Sequence, residues 1–235
     1  MSDFYYEWKN AIDKNQNDDF FILPFLSKAE ETCSLFINEL TREQFLLVFG
    51  VLQSIPTDHF LEYICTRNGL LDYDTTDIPQ FSDFEKGAII VPQILEFYPN
   101  GTTFTELGRK LISTKEDEAN RKYGENHASL AALMSLASII TQRKKLVCPT
   151  KLGHFLIDYS LDEKRNTLKA LLLRNPFIQA MIRIAILDCG TYGMLMRGLA
   201  DSTAKRRRQS IRHLVEFILS GTSREETYRN IDWTV

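Results

Sequence analysis

The chain has no apolar run of the ~18 residues that a membrane span needs. Its most apolar segment, FIQAMIRIAIL at 177–187, is short and carries Arg183. The opening MSDFYYEWKN lacks a basic stretch ahead of an apolar one, so no secretory signal is expected. Cysteine is sparse. Cys33, Cys65, Cys148 and Cys189 lie far apart, with no C-x-x-C pair and no histidine at zinc-ligand spacing. Reduced and mostly buried thiols in a cytoplasmic protein are expected, with no membrane partner and no metal. The 11 glycines form no phosphate-binding loop; GTYGM at 190–194 is a lone pair. No Ser-His-acid or Cys-His arrangement follows from the positions of His59, His127, His154 and His213.

Two carboxylate patterns bear on nuclease chemistry. Glu7 and Lys9 have Glu-x-Lys spacing but no preceding strand or aspartate. Asp72, Asp74 and Asp77 lack the glycine and terminal glutamate of a calcium loop. No catalytic residue and no cofactor are expected, with a cryptic metal-dependent nuclease kept as a testable exception.

What is present is charge asymmetry. The net charge is −3, yet residues 1–100 carry 6 Lys+Arg against 17 Asp+Glu, and the rest of the chain carries 22 against 14. An excess of +8 in residues 101–235 points to an anionic partner for that part. The acidic first part would repel nucleic acid.

Helical periodicity dominates, so the expected class is mainly α. Residues 1–80 form an acidic helical region. Ser27 with Glu30, and Thr41 with Gln44, have capping-box spacing. DYDTTDIPQFSD reads as a loop or linker. Residues 81–160 follow: a helix from Ser82 to about Phe97 with Pro92 inside it, a short helix capped by Thr103 or Thr105, and a long helix bending at Gly124. On that long helix Leu130, Leu133, Met134, Ala137 and Ile140 make one stripe. A basic ribbon, QRKKLVCP, and a helix opening at Pro149 and Thr150 come next. That is the order of a winged helix-turn-helix. Residues 161–235 form a helical extension. Ser160 and Glu163 open one helix, Asn175–Pro176 open another that ends at Gly190, and the last runs from Ser202 to about Leu219.

Three segments from about Phe81 to Leu219 resemble a winged-helix module appended to type II restriction endonucleases and related bacterial defence proteins. They are FTELGRKL with RKYGENHASLAALMSLASII, then LVCPTKLGHFLID, then STAKRRRQSIRHLVEFI. The sequence departs from that family in having a single Tyr123 after Arg121-Lys122 and no tryptophan at the end of the last segment. The resemblance implies double-stranded DNA as partner, a restriction or antiviral setting, and a nuclease or other defence protein nearby.

Residues expected to face DNA are Arg109 on the short helix and Lys115, Asn120, Arg121, Lys122, Asn126 and His127 on or leading into the long helix. Arg and Asn are the usual readers of G and A edges. Arg143, Lys144 and Lys145 crowd the ribbon. On the last helix Ala204, Ile211, Leu214, Val215 and Ile218 share an inward arc. Lys205, Arg206, Arg208 and Arg212 are expected to reach phosphate, with the helix N-terminus at Ser202 and Thr203 as an anion site. Arg207 lies in the apolar arc and is expected to pair with a carboxylate. A different class of function, an adaptor holding a protein partner on the same surface, fits the same residues. Salt dependence separates the two.

Overall fold

A computed structural model of the chain describes residues 3–14, 18–66, 72–112, 114, 116–141 and 143–235. The described chain is mainly helical, with one small antiparallel sheet.

The first part consists of α1 (Asp3–Asp13), α2 (Asp18–Ser27), α3 (Ala29–Ser34) continued by a π-turn (Leu35–Glu39), α4 (Arg42–Ser54) and α5 (Thr57–Thr66). Aromatic packing fixes their arrangement. Trp8 lies between Phe4 and Phe21, with ring centroids 4.5 Å from each, and Phe25 meets Phe60 edge-on. Such pairs contribute ~0.5–1.5 kcal/mol beyond the area they bury. Thr41 and Gln44 form the expected capping box at α4. Ser27 caps nothing: it ends α2, and its hydroxyl donates to the Leu23 carbonyl at 2.6 Å.

Residues 84–95 form one helical stretch, a π-turn at Lys86–Ile90 followed by α6 (Val91–Leu95). The π-turn immediately precedes Pro92, which has no N–H to donate and crowds the preceding turn. Ser82 does not open this helix; Asp83 accepts from the Lys86 N–H at 3.3 Å. There follow β1 (Thr102–Thr103), α7 (Phe104–Ile112), α8 (Asp117–Leu133), β2 (Ala137–Thr141), β3 (Lys145–Pro149) and α9 (Lys151–Leu156). The sheet order is β1-β3-β2, with Thr102 opposite Val147 and Ile139 opposite Val147 on its other side. Thr103 caps α7 reciprocally with Glu106.

Helix α8 runs unbroken through Gly124, and Ala137 and Ile140 belong to β2 rather than to a helical stripe. Ser135, left-handed at φ 57°, ends the helix: Leu136 N–H returns to the Ala131 carbonyl and Ser135 N–H to that of Ala132. The β-branched Ile139, Ile140 and Thr141 then suit a strand.

Glycine sets the crossing of α7 and α8. A Cβ on Gly108 would lie 2.9 Å from the Asn120 Cα and closer still to its carbonyl oxygen; one on Gly124 would meet the Phe104 carbonyl. The backbones touch because neither residue has a side chain. In TKLG, Thr150 donates to the Ser135 carbonyl at 2.7 Å and accepts from Gly153 N–H at 3.0 Å, while Gly153 abuts the Leu136 carbonyl.

The chain closes with α10 (Arg165–Leu172), α11 (Pro176–Leu187), α12 (Tyr192–Leu195), α13 (Asp201–Leu219) and a 3₁₀ helix (Glu225–Asn230). Ser160 and Glu163 bond reciprocally, but they close a turn and do not cap α10, which begins at Arg165; Asn175 caps α11. That helix ends at Asp188, left-handed at φ 50°, rather than at Gly190. One hydrophobic core runs from Phe4 to Ile231. Among the described residues no single helix is long and apolar enough to cross a membrane; α10 and α11 reach that length and composition only together, and they are bent by 100°.

Candidate nucleic-acid interface

The last pair of the β2–β3 hairpin is Thr141 with Lys145, so Arg143, Lys144 and Lys145 stand together at its tip. All three are exposed and none joins an ion pair among the described residues. Three adjacent cations with no counter-charge raise the local potential and favour a polyanion.

Helix α8 behaves differently from expectation. Asn120 and His127 are fully buried, which overturns their assignment as base readers. Asn120, Gly124, His127, Ala128 and Ala131 form the face that α7 and the 84–95 helix cover. Asn120 Nδ2 donates to the Thr114 carbonyl at 3.0 Å. His127 Nδ1 lies 2.8 Å from the Tyr123 carbonyl and Nε2 3.4 Å from the Ser82 hydroxyl. Burial pushes the imidazole below its ordinary pKa, against a smaller upward pull from the Tyr123 carbonyl. The 120-124-127-131 spacing was the available signal, because it continues an inward stripe in polar disguise.

Arg121 is half-buried and held by Glu118, at 2.9 Å, and Glu125, at 2.8 Å. Those bonds push the Glu118 carboxyl down to about 2 and raise the guanidinium pKa. Lys122 reaches Glu118 at 3.4 Å, and Arg109 bonds Asp117 at 2.6 Å. The face's cations are therefore largely neutralised within the helix pair. Asn126 and Ser129, by contrast, carry no side-chain hydrogen bond among the described residues. Lys115 lies outside the described residues.

On α13 the inward arc is as expected: Ala204, Ile211, Leu214, Val215 and Ile218 are buried. Among the described residues Arg207 has no carboxylate partner. Its Nη1 donates to the Ile78 carbonyl at 2.9 Å and the Thr75 carbonyl at 3.3 Å, pinning the 72–80 loop, and burial lowers its pKa. Arg208 donates to the Trp233 carbonyl at 3.3 Å, and Arg212 pairs with Glu216 at 2.9 Å. Lys205 is exposed without a partner among the described residues, and Arg206 makes one long bond, 3.5 Å, to Gln80. The α13 N-terminus is a poorer anion site than expected. Asp201 brings a negative charge to its first turn, and the Thr203 and Ala204 N–H groups already bond the Ala200 carbonyl.

Several cations that the sequence reading left unexplained serve the fold. Arg183 donates to the Ile64 carbonyl near the end of α5, Lys164 to Leu156 at the end of α9, and Lys169 to Ser220 at the end of α13. Each meets the partial negative charge of a helix C-terminus. Arg174, buried and lowered by that burial to about 10, bonds the Ala29 carbonyl and Ser135 Oγ and lies over the Phe25 ring. Part of the positive charge of residues 101–235 is thus internal.

The acidic loop is a packed turn. Asp74 accepts from the Thr76 N–H and hydroxyl, and Asp77 accepts from the Asp74 N–H at 2.9 Å. Glu7 and Lys9 lie on a helix, and Glu7 pairs with Lys28 at 2.6 Å. Between this loop, the outer face of α8 and the start of α13 lies a groove of about 770 Å³, bounded by residues 75–80, Arg121, Lys122, Asn126, Ser129, Ile139 and Arg206–Arg207 among others. No family model, no characterised protein and no solved structure matches the chain.

Proposed function

We propose that the chain binds double-stranded DNA through a winged-helix module over residues 81–160 and catalyses no reaction itself. The observation that carries this reading is the unpaired Arg143–Lys144–Lys145 tip on a helix–strand–helix–helix–strand–strand unit. In that docking the hairpin flanks the duplex and holds phosphate while α8 approaches the major groove. Lys122, Asn126 and Ser129 are the side chains that α8 offers; Asn126 has the chemistry to read an adenine edge. Lys205 and Arg206 extend the phosphate contact from α13. The setting, as a specificity subunit or regulator in bacterial restriction or phage defence, rests on the three resembling segments alone.

The test is duplex binding by the chain and by Arg143→Ala/Lys144→Ala/Lys145→Ala. Each lost phosphate contact reduces the log–log salt slope by ~0.9, so the triple variant is expected to bind more weakly and with a slope shallower by up to ~2.7. Equal affinity and slope would refute this docking.

A second reading, an adaptor for a protein partner, draws on Tyr6, Phe20 and Leu23, large apolar side chains that α1 and α2 leave about half exposed. Docking of that kind persists at high salt.

A further inference from the structure

The groove between α8, the 75–80 loop and α13 has two chemically distinct sides. Arg206 and Arg207 stand on one without a carboxylate partner among the described residues, and the buried Arg207 Nε–H has no acceptor among them. Leu133 and Ile139, half-buried and packed against the core, turn the rest of their apolar surface to another. Between them Asn126 and Ser129 present a carboxamide and a hydroxyl with no internal bond among the described residues. Four cations and two carboxylates line the whole, a formal excess of two positive charges. Arg121 and Lys122 are paired with Glu118 and Glu125 within α8, which leaves Arg206 and Arg207 against Asp77, one net positive charge.

A volume of about 770 Å³ lies within the range of small-molecule sites and is far too small for a duplex. Unsatisfied polar groups that converge on a cleft with some apolar wall are the usual make-up of such sites. Arginine suits a phosphate by its planar fork of donors, and aliphatic walls suit a ring.

We propose that this groove binds a phosphorylated ligand of nucleotide size, with phosphate on Arg206 and Arg207, the ring against Leu133 and Ile139, and Asn126 and Ser129 bonding the polar edge between. The groove shares Asn126, Ser129 and Arg206 with the proposed duplex contact, but nucleotide binding is measured without DNA, so failure of one reading is distinguishable from failure of the other. The full chain is titrated calorimetrically with AMP, ATP and inorganic phosphate, alongside Arg206→Ala and Ser129→Trp. Both substituted side chains are exposed, and circular dichroism melts check that the variants fold. The expected result is one site for AMP or ATP, weakened about tenfold or more by Arg206→Ala and abolished by Ser129→Trp, whose indole fills the groove. Nucleotide should also raise the melting temperature of the unmodified chain and not that of Ser129→Trp. No heat with either nucleotide at millimolar concentration overturns the proposal. So does binding that both variants retain, or AMP binding no tighter than inorganic phosphate, since the ring then contributes nothing.

Discussion

Replacing Gly124 by alanine tests whether α7 and α8 are set by backbone contact. In an open helix the change gains ~1 kcal/mol of propensity. At Gly124 the new methyl would meet the Phe104 carbonyl and come within 2.9 Å of the Gly108 nitrogen. Both are backbone atoms of α7, so no rotamer change relieves the clash. The helix must retreat, yet its start is fixed by the Thr103–Glu106 cap and by the pairing of β1 with β3. Overpacking of this kind costs ~1–3 kcal/mol, and a rigid backbone neighbour puts it at the upper end. After the propensity gain the expected net loss is ~2 kcal/mol, or ~4–8 °C in Tm for a chain of this length. Gly50 is the internal control. It lies within α4 with nothing near its missing Cβ, so Gly50→Ala should stabilise by ~0.4–1 kcal/mol. Thermal and urea melts of both variants read the two signs together. A Gly124→Ala protein as stable as its parent, with Gly50→Ala stabilised as expected, would refute the close-contact account.

Other consequences follow from the buried polar groups. Burial holds the folded His127 imidazole below 6.5, so the unfolded chain takes up the proton first. Its stabilising contribution is full above pH 6.5 and declines as pH falls through that value towards the folded pKa; His127→Gln should remove this part of the pH dependence in melts from pH 8 to ~4. Thr150→Val keeps the shape but orphans the Ser135 carbonyl and the Gly153 N–H. A loss of ~2 kcal/mol in urea unfolding is expected, and an unchanged midpoint would count against it. Arg207→Met frees the Thr75 and Ile78 carbonyls, which should cost ~1.5–3 kcal/mol and speed proteolytic cleavage at 72–80; a loop as resistant as before would mean that Arg207 does not hold it.

Local signals with a fixed spacing were legible in the sequence. The Thr41–Gln44 box, the Ser160–Glu163 pair, the Asn175–Pro176 start and the inward arc of α13 each depend on residues within one or two turns. What was not legible depends on residues far apart. Asn120 and His127 look like surface groups until α7 and the 84–95 helix cover them, and Gly124 looks like a bend until Phe104 lies against it. Arg207 was expected to find a carboxylate; two loop carbonyls some 130 positions away satisfy it instead. A two-residue strand such as β1 has too few residues to alternate. At the candidate interface the ribbon's cations stand free as expected, whereas Arg109, Arg121 and Arg212 are held by carboxylates three to eight positions away. Charge composition counts these groups without saying which neighbours neutralise them.

The central claim is that this chain holds duplex DNA through free cations, and the most direct measurement is anisotropy of a labelled mixed-sequence duplex at low and at physiological salt. The account predicts tight binding at low salt that weakens steeply as salt rises. Binding absent even at low salt, or present but indifferent to salt, would contradict it.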